Sequence, residues 1–130
     1  MSVGPSRALV DSSAIIEYLK GNKNAREAVD KYDEAYISIL TVYEVLKGRV
    51  EKESIMKFLS TFSTAMITEE DVLRASRIYK ALKDKGKLVG DIDVLIAAQA
   101  INRGLTLVTK DKDFLKVKEV VEELELELIT

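Results

Sequence analysis

Asp91 and Asp93 stand one residue apart, directly in front of the apolar run Val94 to Ala98. A helix entering a core is served by one acceptor at its N-terminus, so a second acid there invites another use. Asp11 stands in a similar place, at the end of Ala8-Leu9-Val10, and Asp111 lies three residues past Val108, which ends the apolar run that starts at Leu105. Glu44 falls early in the helical stretch TVYEVLKGR that follows Ala35-Tyr36-Ile37-Ser38. Two unit charges about 4 Å apart repel by roughly 4 kcal/mol at an effective dielectric near 20. Acids brought together therefore either retain protons or hold a divalent cation. An oxygen-only ligand set suits Mg²⁺ or Mn²⁺, and such an ion can polarise a phosphoryl oxygen and deliver a water for in-line attack.

The composition narrows the chemistry further. The chain has no cysteine and no histidine, which removes thiolate chemistry, disulfide staples, Ser-His-Asp triads and the usual zinc sites. A catalyst here works with carboxylates, hydroxyls, lysines and arginines. The net charge of −2 excludes a broadly basic nucleic-acid binder, so positive charge for such a partner is local or supplied by a metal. The opening MSVGPSR lacks the apolar stretch of a signal peptide and no segment approaches membrane-spanning length, so the expected location is the cytoplasm, with no membrane partner. At 130 residues the expectation is a single domain, 1–130, large enough to bury a core.

The elements that must position the acids follow from periodicity. Ala8 to Val10 predicts a buried strand, followed by a helix with Ile15, Ile16 and Leu19 on one face and a stop at Gly21. A polar helix is expected from Asn24 to Tyr32, a strand over 35–38, a short helix opened by Thr41 and closed near Gly48, and an amphipathic helix over 51–62. Ala65-Met66-Ile67 predicts a third strand. From Thr68, Val72, Ala75, Ile78, Tyr79 and Leu82 mark the face of the longest helix, broken at Lys85-Gly86-Lys87. The Asp91–Arg103 helix stops at Gly104. A strand over 105–108, a loop TKDKDF, a solvated helix turn and an edge strand over 125–129 complete the chain. Strands alternating with helices predict an α/β layer fold with a mostly parallel sheet, in which ligands gather beyond the carboxyl ends of the strands. Asp11, Glu44, Asp93 and Asp111 all belong to that edge.

Each acid has a plainer reading. Thr41-x-x-Glu44 matches a capping box, Asp91 suits the N-cap of its helix, Asp93 complements the helix dipole, and Asp111 with Asp113 suits turn chemistry. Asp11, directly after a buried strand, is the hardest to explain away. Their common placement favours the joint reading.

LVDSSAIIEYL, ISILTVYEVLKG and GDIDVLIAAQAINRGLTLVTKDKDF, in this order and spacing, resemble the PIN domain, and in particular the VapC toxins of prokaryotic toxin–antitoxin pairs. The most specific pieces are D-x-L-I-A-A with its glycine-ended turn and L-T-L-V-T, the hydrophobic-Asp-Ser-Ser start, and the Glu within T-x-x-E-V-x-x-G. The resemblance implies a three-layer α/β/α sandwich around a mostly parallel sheet and a Mg²⁺- or Mn²⁺-dependent endoribonuclease. Carried over residue by residue, it implies Asp11, Glu44, Asp93 and Asp111 as the catalytic, metal-holding acids, with Ser13 and Thr109 supporting a metal or water. Asp91 is then left to cap its helix and to reach an outer-shell water. It also implies an RNA substrate, a homodimer, and a VapB-type antitoxin whose C-terminal segment lies in the active-site groove, often with an arginine or lysine among the acids. Lys47, Arg49, Lys85, Lys87, Lys110 and Lys112 lie near the expected loops and could follow an RNA backbone, with Lys110 and Lys112 best placed; each is equally accounted for as solvated surface.

Two other functions are compatible with parts of the sequence. An RNA-processing or non-catalytic structural PIN domain would share the fold. A phosphoacceptor receiver domain would share the length and the Thr109-Lys110 pair, but Asp11 is followed by two serines rather than a second acid, and Met66-Ile67-Thr68 has no aspartate to phosphorylate.

Overall fold

The computed structural model describes residues 4–130. In chain order the elements are β1 (Arg7–Val10), α1 (Ser12–Leu19), α2 (Lys23–Asp30), β2 (Glu34–Ser38), α3 (Ile39–Leu46), α4 (Lys52–Leu59), β3 (Ser63–Ala65), α5 (Glu69–Asp84), α6 (Asp91–Arg103), β4 (Thr106–Thr109), α7 (Phe114–Val120) and β5 (Leu126–Leu128). The strands form one five-stranded parallel sheet in the order β3-β2-β1-β4-β5. Leu9 of β1 aligns with Tyr36 of β2 on one side and Leu107 of β4 on the other.

Alternation along the strands produces three layers, because successive side chains leave opposite faces. Leu9 and Leu107 pack with Ala75, Ile78 and Leu82 of α5, Ile96 and Ala97 of α6, and Phe114 and Val117 of α7. Ala8, Val10, Ile37 and Val108 face the other way, onto Ala14 and Ile15 of α1, Ala25 and Val29 of α2, Val45 of α3 and Leu59 of α4. Burying each such aliphatic side chain is worth about 1.5–3 kcal/mol, so both faces of the sheet contribute. Helix α6 is buried on several faces through Val94, Ile96, Ala97, Ala98, Gln99 and Ala100, which explains why its sequence reads as a continuous apolar run rather than a stripe.

The chain runs outward from β1 through β2 to β3, then crosses to the other side of β1 to lay down β4 and β5. The winding therefore reverses between β1 and β4. That is the place where an open α/β sheet leaves a crevice at its carboxyl edge.

Several expected boundaries move. Helix α3 begins at Ile39, not Thr41, because Ser38 at the end of β2 caps it, its Oγ accepting the Leu40 N–H at 3.1 Å. Thr41 is buried inside the helix, so the Thr41–Glu44 capping box does not form. Asp91 is the first residue of α6 rather than its cap; Gly90 holds the cap position and no side chain completes it. Asp91 is left exposed, where its charge still favours the helix N-terminus. β3 spans 63–65 instead of 65–67 because the Met66 carbonyl is taken by Arg103 and Gln99 rather than by a neighbouring strand. Beyond the 111–113 turn, the expected loop and solvated turn are instead α7, anchored by the fully buried Phe114 and Val117. On α5, Val72 and Tyr79 are half exposed; Asp71, Ala75, Ile78 and Leu82 form its buried face.

Asp71 is an acid that the periodicity does not mark as buried. It completes a capping box with Thr68 and accepts Arg103 on both oxygens, at 2.9 and 3.0 Å, and Asn102 at 2.9 Å. Burial alone would raise its pKa, but these donors, with those of Thr68, lower it to about 2. A buried charge left without its partner typically costs 3–5 kcal/mol. Arg103→Met is therefore expected to destabilise the fold by about 3 kcal/mol in denaturant titration at pH 7. The stabilisation linked to Asp71 ionisation is present above about 3.8 and is lost as pH falls through about 2. The variant should accordingly lose more stability at pH 7 than at pH 2, and an equal loss at both would contradict the ion-pair assignment.

Candidate active site

Asp11 is the fixed point of the carboxyl edge. It directly follows β1 and caps α1, its Oδ1 accepting the Ala14 N–H at 3.0 Å. The Ser13 hydroxyl donates to the same oxygen at 2.8 Å, and the Thr109 hydroxyl donates to Oδ2 at 2.6 Å. Asp11 is only 3% exposed. Burial raises its pKa, the three donors pull it down, Asp111 pushes it up again, and the net shift is upward.

Thr109 and Ser13 also fix the loop that carries the next acid. Thr109 Oγ1 accepts the Asp111 N–H at 2.9 Å, and Ser13 Oγ accepts the Lys110 N–H at 2.9 Å. The two hydroxyls, 96 residues apart in sequence, therefore bind the end of β1 to the end of β4 across the reversal in winding. Asp111 Oδ1 then accepts the Asp113 N–H at 2.9 Å, the local turn chemistry that an Asp-x-Asp sequence suits.

Asp93, in the first turn of α6, faces this loop. Asp93, Asp111 and Asp113 each offer a carboxylate oxygen, and the three oxygens lie within 4.8 Å of one another. Burial raises the Asp93 carboxyl, and the charges of Asp111, Asp11, Glu44 and Asp113, in that order, raise it further, to about 7. Glu44 on α3 thus lies within electrostatic reach. Its Oε1 accepts the Ser12 hydroxyl at 3.0 Å.

The structure brings Asp11, Asp93, Asp111, Ser13 and Thr109 to one place, with Glu44 alongside. Asp113 joins them although its spacing suits turn chemistry alone. The signal was present in its position two residues past Asp111, but the two roles coincide in one side chain. Asp91 stays outside the cluster, exposed on the first turn. Lys110 and Lys112 are exposed on either side of Asp111. Lys47 is exposed with its ammonium 5.6 Å from the Tyr43 ring centroid, Arg49 is half-buried, and Lys87 is engaged by Glu119 at 2.6 Å.

The donor set fits a hard divalent cation. It consists of carboxylate oxygens, and burial together with the neighbouring charges raises Asp93 to about 7, a cost of ionisation that a dication between the acids would offset. Asp11 and Asp111 flank the crevice between β1 and β4, where the open-sheet rule places ligands.

A family model of the PIN domain matches residues 8–120, nearly the whole chain. The chain belongs to the PIN domain family. A ribonuclease VapC1 of Methanocaldococcus jannaschii is 35% identical to this PIN domain over 118 residues, covering 88% of this chain and 83% of the relative. Among solved structures, a toxin–antitoxin complex from Klebsiella pneumoniae contains a chain that matches with a TM-score of 0.75 and 27% identity, covering 91% of this chain and 98% of that one. A chain of VapBC2 from Rickettsia felis, bound to a DNA fragment from their promoter, matches with a TM-score of 0.78 at 24% identity over 95% of this chain and 99% of that one, and so shares the fold. The sandwich, the parallel sheet and the order of elements expected from the motifs are those of the PIN domain. Among the described residues no helix is long and apolar enough to cross a membrane.

Proposed function

We propose that this PIN domain is a divalent-metal-dependent endoribonuclease and the toxin of a VapBC-type pair, with residues 1–130 acting as one nuclease domain in the cytoplasm. The observation that carries this reading is the meeting of Asp93, Asp111 and Asp113 beside the buried Asp11 at the point where the sheet reverses its winding. The relatives named above support ribonuclease chemistry and an antitoxin partner.

In this reading Asp11, Asp93 and Asp111 hold the cation, with Glu44 and Asp113 completing the acidic wall. Bound there, Mg²⁺ or Mn²⁺ would polarise a phosphoryl oxygen and lower the pKa of a water for attack on the phosphodiester. Ser13 and Thr109 hold Asp11 and the 110–111 backbone still, so the acids need little rearrangement when charge develops. Lys110 and Lys112, exposed on either side of Asp111, would meet phosphates of the bound RNA, with Lys47 and Arg49, just beyond the end of α3, as further contacts. An antitoxin segment carrying an arginine or lysine would silence the same acids by pairing with them. A homodimer is the expected assembly.

The test is cleavage of a mixed RNA pool by purified, antitoxin-free protein. Products should form with Mg²⁺ or Mn²⁺, vanish with EDTA, and return when metal is restored. Cleavage that persists through chelation would sink the metal-dependent reading.

A further inference from the structure

Glu44 differs from the other acids at the edge. Its carboxylate stands at the end of a longer side chain, and its charge acts on Asp93 together with those of Asp111 and Asp11. Repulsion and side-chain entropy both favour swinging such a group into water. Helix α3 fixes only its Cα. The contact that holds the carboxylate is the hydroxyl of Ser12, which donates to Oε1 at 3.0 Å across the α1–α3 junction. Among the described residues this is the one hydrogen bond that Glu44 receives.

Ser12 is well placed for this task. It is the first residue of α1, immediately after Asp11, and Asp11 pins that turn by accepting the Ala14 N–H. The position of Ser12 is therefore set by the same carboxylate it must align with Glu44. Its hydroxyl is not spent on capping, since Asp11 already caps the helix. It is not needed to dock the helices either, because Ile15 of α1 and Val45 of α3 already share the core on that face. A hydroxyl given to one carboxylate oxygen leaves the other free.

We infer that Ser12 is a positioning residue, registering the Glu44 carboxylate against Asp11 so that both face the same cation. The inference rests on the metal-dependent reading above. It assigns to Ser12 a role separate from that of Ser13, which acts on Asp11 and the Lys110 backbone.

The experiment titrates Mn²⁺ into the full chain, following the free ion by electron paramagnetic resonance, and measures RNA cleavage across the same metal range. Ser12→Ala should weaken Mn²⁺ binding about tenfold, the scale of one lost charge-assisted hydrogen bond. Its cleavage should fall by a similar factor at limiting metal and largely recover at saturation. Ser12→Thr, which keeps the hydroxyl, should stay within about twofold of wild type, and in a Glu44→Gln background Ser12→Ala should have little further effect. The melting temperature in EDTA should fall by no more than about 3 °C in Ser12→Ala.

Wild-type Mn²⁺ affinity in Ser12→Ala would overturn the inference. So would a full additional loss in the Glu44→Gln background, or failure of Ser12→Thr to restore binding. Asp93→Asn separates this from failure of the underlying reading: if it binds Mn²⁺ as wild type does, both fall, whereas if it loses the ion and Ser12→Ala does not, only the assignment of Ser12 fails.

Discussion

Asp93→Asn is expected to lower metal-dependent RNA cleavage by about a thousandfold while making the metal-free protein more stable near pH 8. The two effects have one cause. In the folded chain Asp93 is raised to about 7 by burial and by the charges of Asp111, Asp11, Glu44 and Asp113, so above that pH its ionised form opposes folding. Asparagine keeps the shape of the side chain and removes that charge. Asp91 still supplies a negative charge to the first turn of α6, so the helix retains its favourable end. The same charge is what a cation would bind, and its loss leaves the acids of the 111–113 turn without their partner from α6. Denaturant titration in EDTA at pH 8, beside cleavage in Mn²⁺, measures both quantities. An inactive variant that is also less stable would indicate a packing role for Asp93 instead, and a variant cleaving within tenfold of wild type would remove it from the chemistry.

The acids were legible in the sequence because their signal is local. Asp11 follows an uninterrupted apolar strand, Asp93 enters an apolar helix, and both facts survive without knowledge of the sheet. Strand order is not local. That β4 lies beside β1 depends on Leu9 and Leu107 sharing one buried face, and this pairing is what carries Asp111 to Asp11. Asp113 was obscured because the backbone contact that makes it a turn residue is the contact that delivers its carboxylate. Helix α7 was obscured by charge: Phe114 and Val117 are its buried anchors, set among lysines, a glutamate and aspartates that read as loop. The start of α3 was displaced because β2 passes into the helix without an intervening loop, so Ser38 ends one element and caps the next. The Asp71–Arg103 pair joins residues 32 apart on two helices, and nothing in either segment announces the other.

Mn²⁺ binding should lose affinity by about tenfold for each pH unit from 7 down to 5, because an ion entering the site must displace the proton on Asp93. Asp11, also raised by burial, steepens the fall. The stability of the metal-free protein moves in the opposite direction. Between 3.8 and about 7 the folded chain keeps on Asp93 a proton that the unfolded chain has released. This contribution is therefore fully present below 3.8 and is lost as pH rises through about 7. Metal offsets the trend: at a hundred times its dissociation constant it adds about 2.7 kcal/mol, and at fixed concentration that gain grows with pH until the site is fully ionised. Unfolding curves at pH 5, 6, 7 and 8, in EDTA and in fixed Mn²⁺, should converge at the acid end and separate toward pH 8. Parallel curves would mean that the ion binds without displacing a proton, and would place it away from Asp93.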